Sequence, residues 1–119
     1  MKGRLLLVVL GLCSAWLAAS SGSAASTGTT VGVSENEWHI TLGRVRAPHG
    51  RITFSVTNFG QDEHNFAIRK HGVHYGSTGR IPHGGHATLT VTLKPGTYVL
   101  LCSIPGHAAL GMVAHLTVT

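Results

Sequence analysis

The sequence predicts an all-β protein, an antiparallel sandwich of up to eight short strands. In several stretches apolar and polar residues alternate with a period of two, as they do in strands with one buried face. Turn-forming Gly, Pro and Asn residues separate these stretches, and no helical period of useful length follows residue 25. Short strands joined by turns are typical of sandwiches.

The N-terminal segment has the composition of an export signal. Met1–Arg4 carries positive charge, Leu5–Leu17 is apolar, and small residues fill Ala18–Ala25. The apolar run is short for a membrane span. We therefore predict that residues 1–25 are a signal peptide, or an uncleaved anchor, together with the start of a tether. The protein is then extracytoplasmic: periplasmic, at the cell surface or secreted.

The rest of the chain is predicted to form one domain. Residues 26–34 are rich in Ser, Thr and Gly and are expected to be a flexible linker. Residues 35–119 are long enough for one small core. After residue 25 there are seven basic and four acidic residues, a net charge of +3. No basic run is long enough to indicate nucleic-acid binding.

Each predicted strand has one apolar face. The first three are marked by Trp38, Ile40 and Leu42, by Ile52, Phe54 and Val56, and by Leu89, Val91 and Leu93. The predicted turns are residues 48–50, 58–61 and 94–96. Another strand runs from His64 to about Arg69, with His64 on the same inward face as Phe66. The last two strands have inward faces of Tyr98, Leu100 and Cys102, and of Met112, Ala114, Leu116 and Val118.

Cys102 is the one cysteine left after the signal segment. Exported domains normally use cysteines in pairs, so a lone thiol suggests a ligand. The alternative is an inert, buried thiol that packs as a small apolar group. His107 follows Cys102 by five positions and Met112 follows His107 by five, and this combination favours the ligand interpretation.

A thiolate, two imidazoles and a weak axial thioether form the donor set of blue-copper sites. The C-terminal loop supplies Cys102, His107 and Met112, and His64 is the best candidate for the second imidazole. We therefore predict a metal site made of His64, Cys102, His107 and Met112. Four protein ligands leave no open position for a substrate, which favours electron transfer over catalysis.

The Cys-x4-His-x4-Met loop, preceded by the Gly96-Thr97-Tyr98 strand, resembles the loop of the small blue (type 1) copper proteins, the cupredoxins. The loop is most similar to those of rusticyanin, azurin and plastocyanin, and the resemblance covers about residues 35–119. It implies a Greek-key sandwich with one type 1 copper ion, and a protein that carries single electrons and is not an enzyme. By the same resemblance Asn65, with Ser103, is expected to steady the ligand loop.

The resemblance also implies where redox partner proteins bind. Redox partner proteins are expected to dock near His107, on the apolar residues around it: Pro105, Ala108, Ala109 and Leu110. The protein is expected to act as a monomer. One departure concerns Asp62 and Glu63, which stand where azurin has glycine next to the first histidine. Carboxylates there favour Cu(II) and lower the potential, unless they point to solvent.

Two other functions remain open at this point. One is a copper-handling protein, either a chaperone or a buffer. The other is a sandwich that binds no metal and has a structural role. Two His-x2-His pairs are interpreted as surface loops, with a weak second metal site as the alternative: His71 and His74, His83 and His86. The remaining histidines, His39, His49 and His115, are predicted to lie on the surface.

Overall fold

The computed structural model describes residues 28–119. Within that range the chain forms nine strands and one helical turn. In order they are β1 (Thr29–Asn36), β2 (His39–Leu42), β3 (Arg46–Ala47), β4 (Gly50–Asn58), β5 (Ala67–Lys70), β6 (Val73–Ser77), β7 (His86–Leu93), β8 (Gly96–Leu101), α1 (His107–Leu110) and β9 (Val113–Val118).

The strands form two sheets that pack face to face. One sheet has the order β2-β1-β4-β7 and the other β3-β9-β8-β5-β6. The predicted all-β sandwich is confirmed. Two pairings are parallel, β1 with β4 and β3 with β9, and the others are antiparallel. The predicted antiparallel arrangement is therefore corrected to two mixed sheets, because alternation shows which face of a strand is buried but not the direction of its neighbour.

The core lies between the sheets and is made largely of the alternating residues that the sequence marks. Ile52, Phe54 and Val56 of β4 are fully buried. They meet the inward side chains of the second sheet, and the Phe54 and Phe66 rings are 5.1 Å apart between centroids. Burying such large apolar side chains stabilises the fold by roughly 1.5–3 kcal/mol each. This core fixes the two sheets relative to each other, and therefore the loops at their ends.

The predicted linker is corrected at its C-terminal end. β1 begins at Thr29, so most of residues 26–34 belongs to a strand. Val31 and Val33 are buried and pair beside β4, which outweighs the small polar residues around them. Residues 1–25, predicted as a signal or anchor, lie outside the described residues. Among residues 28–119 no helix has the length and apolar character needed to cross a membrane.

The C-terminal loop is more structured than the sequence indicates. Cys102 directly follows β8 and Met112 directly precedes β9, so both lie just outside the strands predicted to hold them. His107 begins the one-turn helix α1 instead of lying on an irregular loop. Gly106 and Gly111 flank this turn with φ of 86° and 127°, which glycine tolerates best. A single turn is too short to show a helical period.

Among residues 28–119, one polar side chain in the core is without a hydrogen-bond partner. Glu35 of β1 points inward, is fully buried, and neither of its carboxylate oxygens makes a hydrogen bond. Burial raises the pKa of this carboxyl from 4.5 to about 8, because the interior disfavours the charged form. Glu35 is therefore protonated in the folded protein at neutral pH but ionised when the chain unfolds.

Glu35 should make stability fall as pH rises. Between pH 4.5 and about 8 the unfolded chain loses this proton and the folded chain keeps it, so the free energy of unfolding decreases. The slope from one proton is at most about 1.4 kcal/mol per pH unit. We expect Glu35→Gln to remove this component in urea unfolding of the metal-free protein. Glu63→Gln, at an exposed carboxylate, should keep the wild-type slope; identical pH profiles for wild type and Glu35→Gln would contradict the assignment.

Candidate metal centre

Three of the predicted ligand side chains meet at one end of the sandwich. The donor atoms of His64, Cys102 and His107 all lie within 4.8 Å of one another. His64 Nδ1 is 3.1 Å from His107 Nδ1, which is 3.5 Å from Cys102 Sγ. His64 and Cys102 are fully buried and His107 is half-buried. Two imidazole nitrogens and one sulfur therefore surround a common point.

His64 is placed by backbone contacts with the segment before β7. It forms a bridge with Ile81, in which Ile81 N–H donates to the His64 carbonyl at 2.6 Å and His64 N–H donates to the Ile81 carbonyl at 3.2 Å. The buried Asn58 amide then ties the loop together. Asn58 Nδ2 donates to the carbonyls of Asp62 and Ile81, and Gly60 N–H donates to Asn58 Oδ1. The loop before His64 is thus closed on itself.

Cys102 is held by the residue that follows His64. Asn65 N–H donates to Cys102 Sγ at 3.4 Å. Asn65 also makes two hydrogen bonds of 2.7 Å with Ser103: its Nδ2 donates to Ser103 Oγ, and its Oδ1 accepts from Ser103 N–H. Burial raises the pKa of the Cys102 thiol, and the Asn65 N–H opposes that shift. Metal binding must therefore displace a proton from this thiol.

His107 is oriented by the helical turn and by an aromatic neighbour. Its N–H donates to the Ile104 carbonyl at 3.1 Å. The Trp38 ring packs edge to face on the His107 ring, with centroids 4.8 Å apart. Gly111 allows β9 to start here, because a Cβ at this position would lie 2.8 Å from the Trp38 carbonyl. Trp38 therefore fixes both the imidazole and the loop that carries it.

Met112 lies beside the same group and is fully buried. Its N–H donates to the His107 carbonyl and its carbonyl accepts from Cys102 N–H, both at 3.2 Å. These bonds tie together the backbone of three predicted ligands. The inward position predicted for Met112 is therefore the one it takes.

A carboxylate that the sequence analysis missed touches the site. Glu37 Oε1 accepts a hydrogen bond from His64 Nε2 at 2.9 Å. Glu37 lies in the turn between β1 and β2, 27 residues before His64, and no local sequence signal connects them. Glu63, the neighbour of His64, instead forms an exposed ion pair with Arg80 at 3.4 Å. The carboxylate that acts on His64 is therefore a distant one, and Glu63 points away.

The other histidines do not join this group. All seven are exposed, as predicted, but His74 and His86 lie in strands β6 and β7 and not in loops. The seven are His39, His49, His71, His74, His83, His86 and His115. In the part of the chain that the structure describes, His64, Cys102 and His107 are the one group with converging metal donors. Sulfur and imidazole donors suit copper, and hard cations prefer oxygen. The three side chains thus form a candidate copper site.

Comparison with known proteins agrees with this geometry. Residues 6–114 match the sequence model of a family described as cupredoxin-like domain. The chain belongs to the cupredoxin-like family. Auracyanin from the photosynthetic bacterium Roseiflexus castenholzii is 26% identical with a TM-score of 0.60, over 81% of this chain and 99% of auracyanin. No protein of curated function matches the sequence.

More distant structures share the cupredoxin fold. Auracyanin A of Chloroflexus aurantiacus, described as a blue copper protein, is 15% identical with a TM-score of 0.63, over 77% of this chain and 99% of that chain. Rusticyanin of Thiobacillus ferrooxidans is 21% identical with a TM-score of 0.66, over 80% and 79%. At these identities the likeness shows the fold alone. The resemblance to cupredoxins stated from the loop is confirmed.

Asn65→Ala and Ser103→Ala should destabilise the fold by different amounts, because they remove different numbers of the two hydrogen bonds between these residues. Asn65→Ala loses both side-chain bonds and is expected to lower the free energy of unfolding of the metal-free protein by about 1–2 kcal/mol. Ser103→Ala loses one bond and keeps its N–H donor, so we expect less than about 1 kcal/mol. Urea unfolding measures both. Equal losses in the two variants would show that Asn65 does not join the two loops in this way.

Proposed function

We propose that this cupredoxin-like protein carries single electrons in an extracytoplasmic compartment, using one copper ion held by His64, Cys102, His107 and Met112. The observation that carries the proposal is the convergence of His64 Nδ1, His107 Nδ1 and Cys102 Sγ, which all lie within 4.8 Å of one another. Copper supplies a one-electron Cu(I)/Cu(II) couple when it is bound. The protein is then a binding protein and not an enzyme.

The chain's own bonds favour this use of the site. Cys102 and His64 are fully buried, and every backbone segment that carries a donor is tied to another. Such ties hold the ligands in one arrangement while the charge of the ion changes. A copper-handling protein needs donors that open to exchange the ion, and burial of this kind counts against that alternative. Met112 completes the set with a weak, polarizable donor.

The surface around His107 fits brief contacts with redox partners. His107 is the one half-exposed donor among the three that converge. Leu110, in the same helical turn as His107, is a large apolar residue with 58% of its surface exposed. Small apolar patches suit transient complexes of low buried area. We propose that partners dock here, close to the His107 ring.

The signal-like composition of residues 1–25 supports the proposal that the protein is exported.

Substitutions at the sulfur donors test the ligand set. With one equivalent of Cu(II), the wild-type protein should show an intense thiolate-to-copper absorption band and a small copper hyperfine splitting in electron spin resonance. Cys102→Ser should lose the band, because it has no thiolate. Met112→Leu should keep a shifted band, because the axial donor is weak. His115→Ala, at an exposed histidine, is the matched control. A wild-type spectrum in Cys102→Ser would exclude the proposed site.

The docking surface is tested by electron self-exchange between Cu(I) and Cu(II) copies of the protein. Leu110→Asn makes the patch polar without adding charge, and we expect at least a tenfold slower exchange by NMR line broadening. Val45→Asn is the control, because Val45 is similarly exposed, at 64%, but its carbonyl accepts from Thr117 N–H at the other end of β9 from the site. Equal rates in wild type and Leu110→Asn would move the docking site elsewhere.

A further inference from the structure

The turn between β1 and β2 brings one carboxylate against the outer nitrogen of His64. Glu37 Oε1 accepts from His64 Nε2 at 2.9 Å and from Asp62 N–H at 2.8 Å, and Oε2 accepts from Gln61 N–H at 3.0 Å. Its side chain keeps a quarter of its surface exposed, and His64 keeps none. Three donors from one loop therefore converge on a single carboxylate.

The neighbouring backbone leaves room for this arrangement. A Cβ at Gly60 would collide with Glu37 Oε1 and lie 2.8 Å from Glu37 Cδ. Gly60 is also held in place, since its N–H donates to Asn58 Oδ1. The carboxylate thus occupies the space where a side chain at position 60 would be. With glycine at position 60, the Glu37 carboxylate therefore has room to lie against His64.

We propose that Glu37 is a positioning residue, which fixes the tautomer and the direction of the His64 ring and biases the site toward the more highly charged copper ion. The second half of the proposal rests on the proposed function. Nothing in the local sequence around His64 or Cys102 indicates this role.

The tautomer follows from the chemistry of the acceptor. Both Glu37 oxygens already accept hydrogen bonds from backbone N–H groups, those of Asp62 and Gln61, so the carboxylate meets His64 as an acceptor too. The proton of the bond must then be on His64 Nε2. His64 Nδ1 is left with a free lone pair, directed at His107 Nδ1 and toward Cys102. A metal-binding imidazole needs this state.

The Glu37 carboxylate would influence a bound copper ion through the His64 imidazole ring. A carboxylate on the outer nitrogen raises the basicity of a ligating imidazole, and a stronger donor stabilises Cu(II) more than Cu(I). Glu37 should therefore lower the reduction potential. Glu63, nearer in sequence, should have little effect because it pairs with Arg80 in solvent. Solvent and salt screen exposed charges strongly, but they screen hydrogen-bonded, partly buried charges much less.

The redox half of the proposal is tested by reduction potentials of three copper-loaded variants. We expect Glu37→Gln to raise the potential by about 59 mV or more, which corresponds to a tenfold loss of preference for Cu(II) in a one-electron couple. Glu63→Gln removes the same charge and should shift it far less. Gly60→Ala keeps the charge but displaces the carboxylate from His64, and should raise the potential as well. An unchanged potential in Glu37→Gln, or equal shifts in Glu37→Gln and Glu63→Gln, would overturn the proposal.

The tautomer half is tested without metal and without any variant. Long-range ¹H–¹⁵N correlation spectra of the metal-free wild-type protein should show His64 protonated at Nε2 and not at Nδ1. Protonation at Nδ1 alone would overturn this half. If the wild-type protein binds no copper, the proposed function and the redox half fail together, and the spectra still decide whether Glu37 positions the ring. If Glu37→Gln does not fold, Gly60→Ala and the spectra decide the outcome.

Discussion

A buried imidazole is the constraint on which this end of the protein depends. His64 has no exposed surface, so both of its ring nitrogens need partners inside the fold. Glu37 accepts a hydrogen bond from His64 Nε2, and His107 Nδ1 lies 3.1 Å from His64 Nδ1. To bring those partners together, the β1–β2 turn must fold over the loop before His64. The loop in turn is closed by Asn58, whose amide is fully used by backbone groups.

The site combines a local part and a long-range part. Cys102, His107 and Met112 come from one short connection between neighbouring strands, and their backbone groups bond one another. His64 and Asn65 come from the opposite side of β8, about forty residues earlier, and are joined to the connection through Cys102 Sγ and Ser103. The sandwich core sets the distance between the two parts. The donor atoms of the candidate metal centre are therefore held in place by bonds within the chain.

The acidic residues are concentrated at this same end, and each has a different environment. Glu35 is buried without a partner and protonated, and Glu37 is ionised and accepts three hydrogen bonds. Glu63 pairs with Arg80 in solvent. Burial without hydrogen bonds raises a carboxyl pKa, and bonds from N–H groups lower it. The pKa is therefore about 8 for Glu35 and about 2 for Glu37, two positions away. A rule based on closeness in sequence would have selected the wrong carboxylate.

By itself the sequence determined the fold class and the chemistry of the C-terminal connection. Alternation identified the buried faces of β2, β4, β7, β8 and β9, because strand side chains point to opposite sides in turn. The spacing of Cys102, His107 and Met112 predicted two sulfur donors and an imidazole in one loop, and the inward face of His64 gave the fourth predicted ligand. These signals are local: each depends on residues within about a dozen positions. They also misplaced the start of the domain, because Thr29–Ser34 has linker-like composition around only two buried valines.

The tertiary structure decided what local signals do not carry. The parallel pairing of β1 with β4, the aromatic contact of Trp38 with His107, and the bond from His64 to Glu37 all join residues far apart in sequence. The packing of the two sheets and the direction of the β1–β2 turn determine these contacts. Alternation cannot predict them, because many residue types satisfy the same alternation. The sequence therefore indicates which donor residues are available. Only the folded chain shows which backbone bonds hold those residues and which carboxylate accepts from His64.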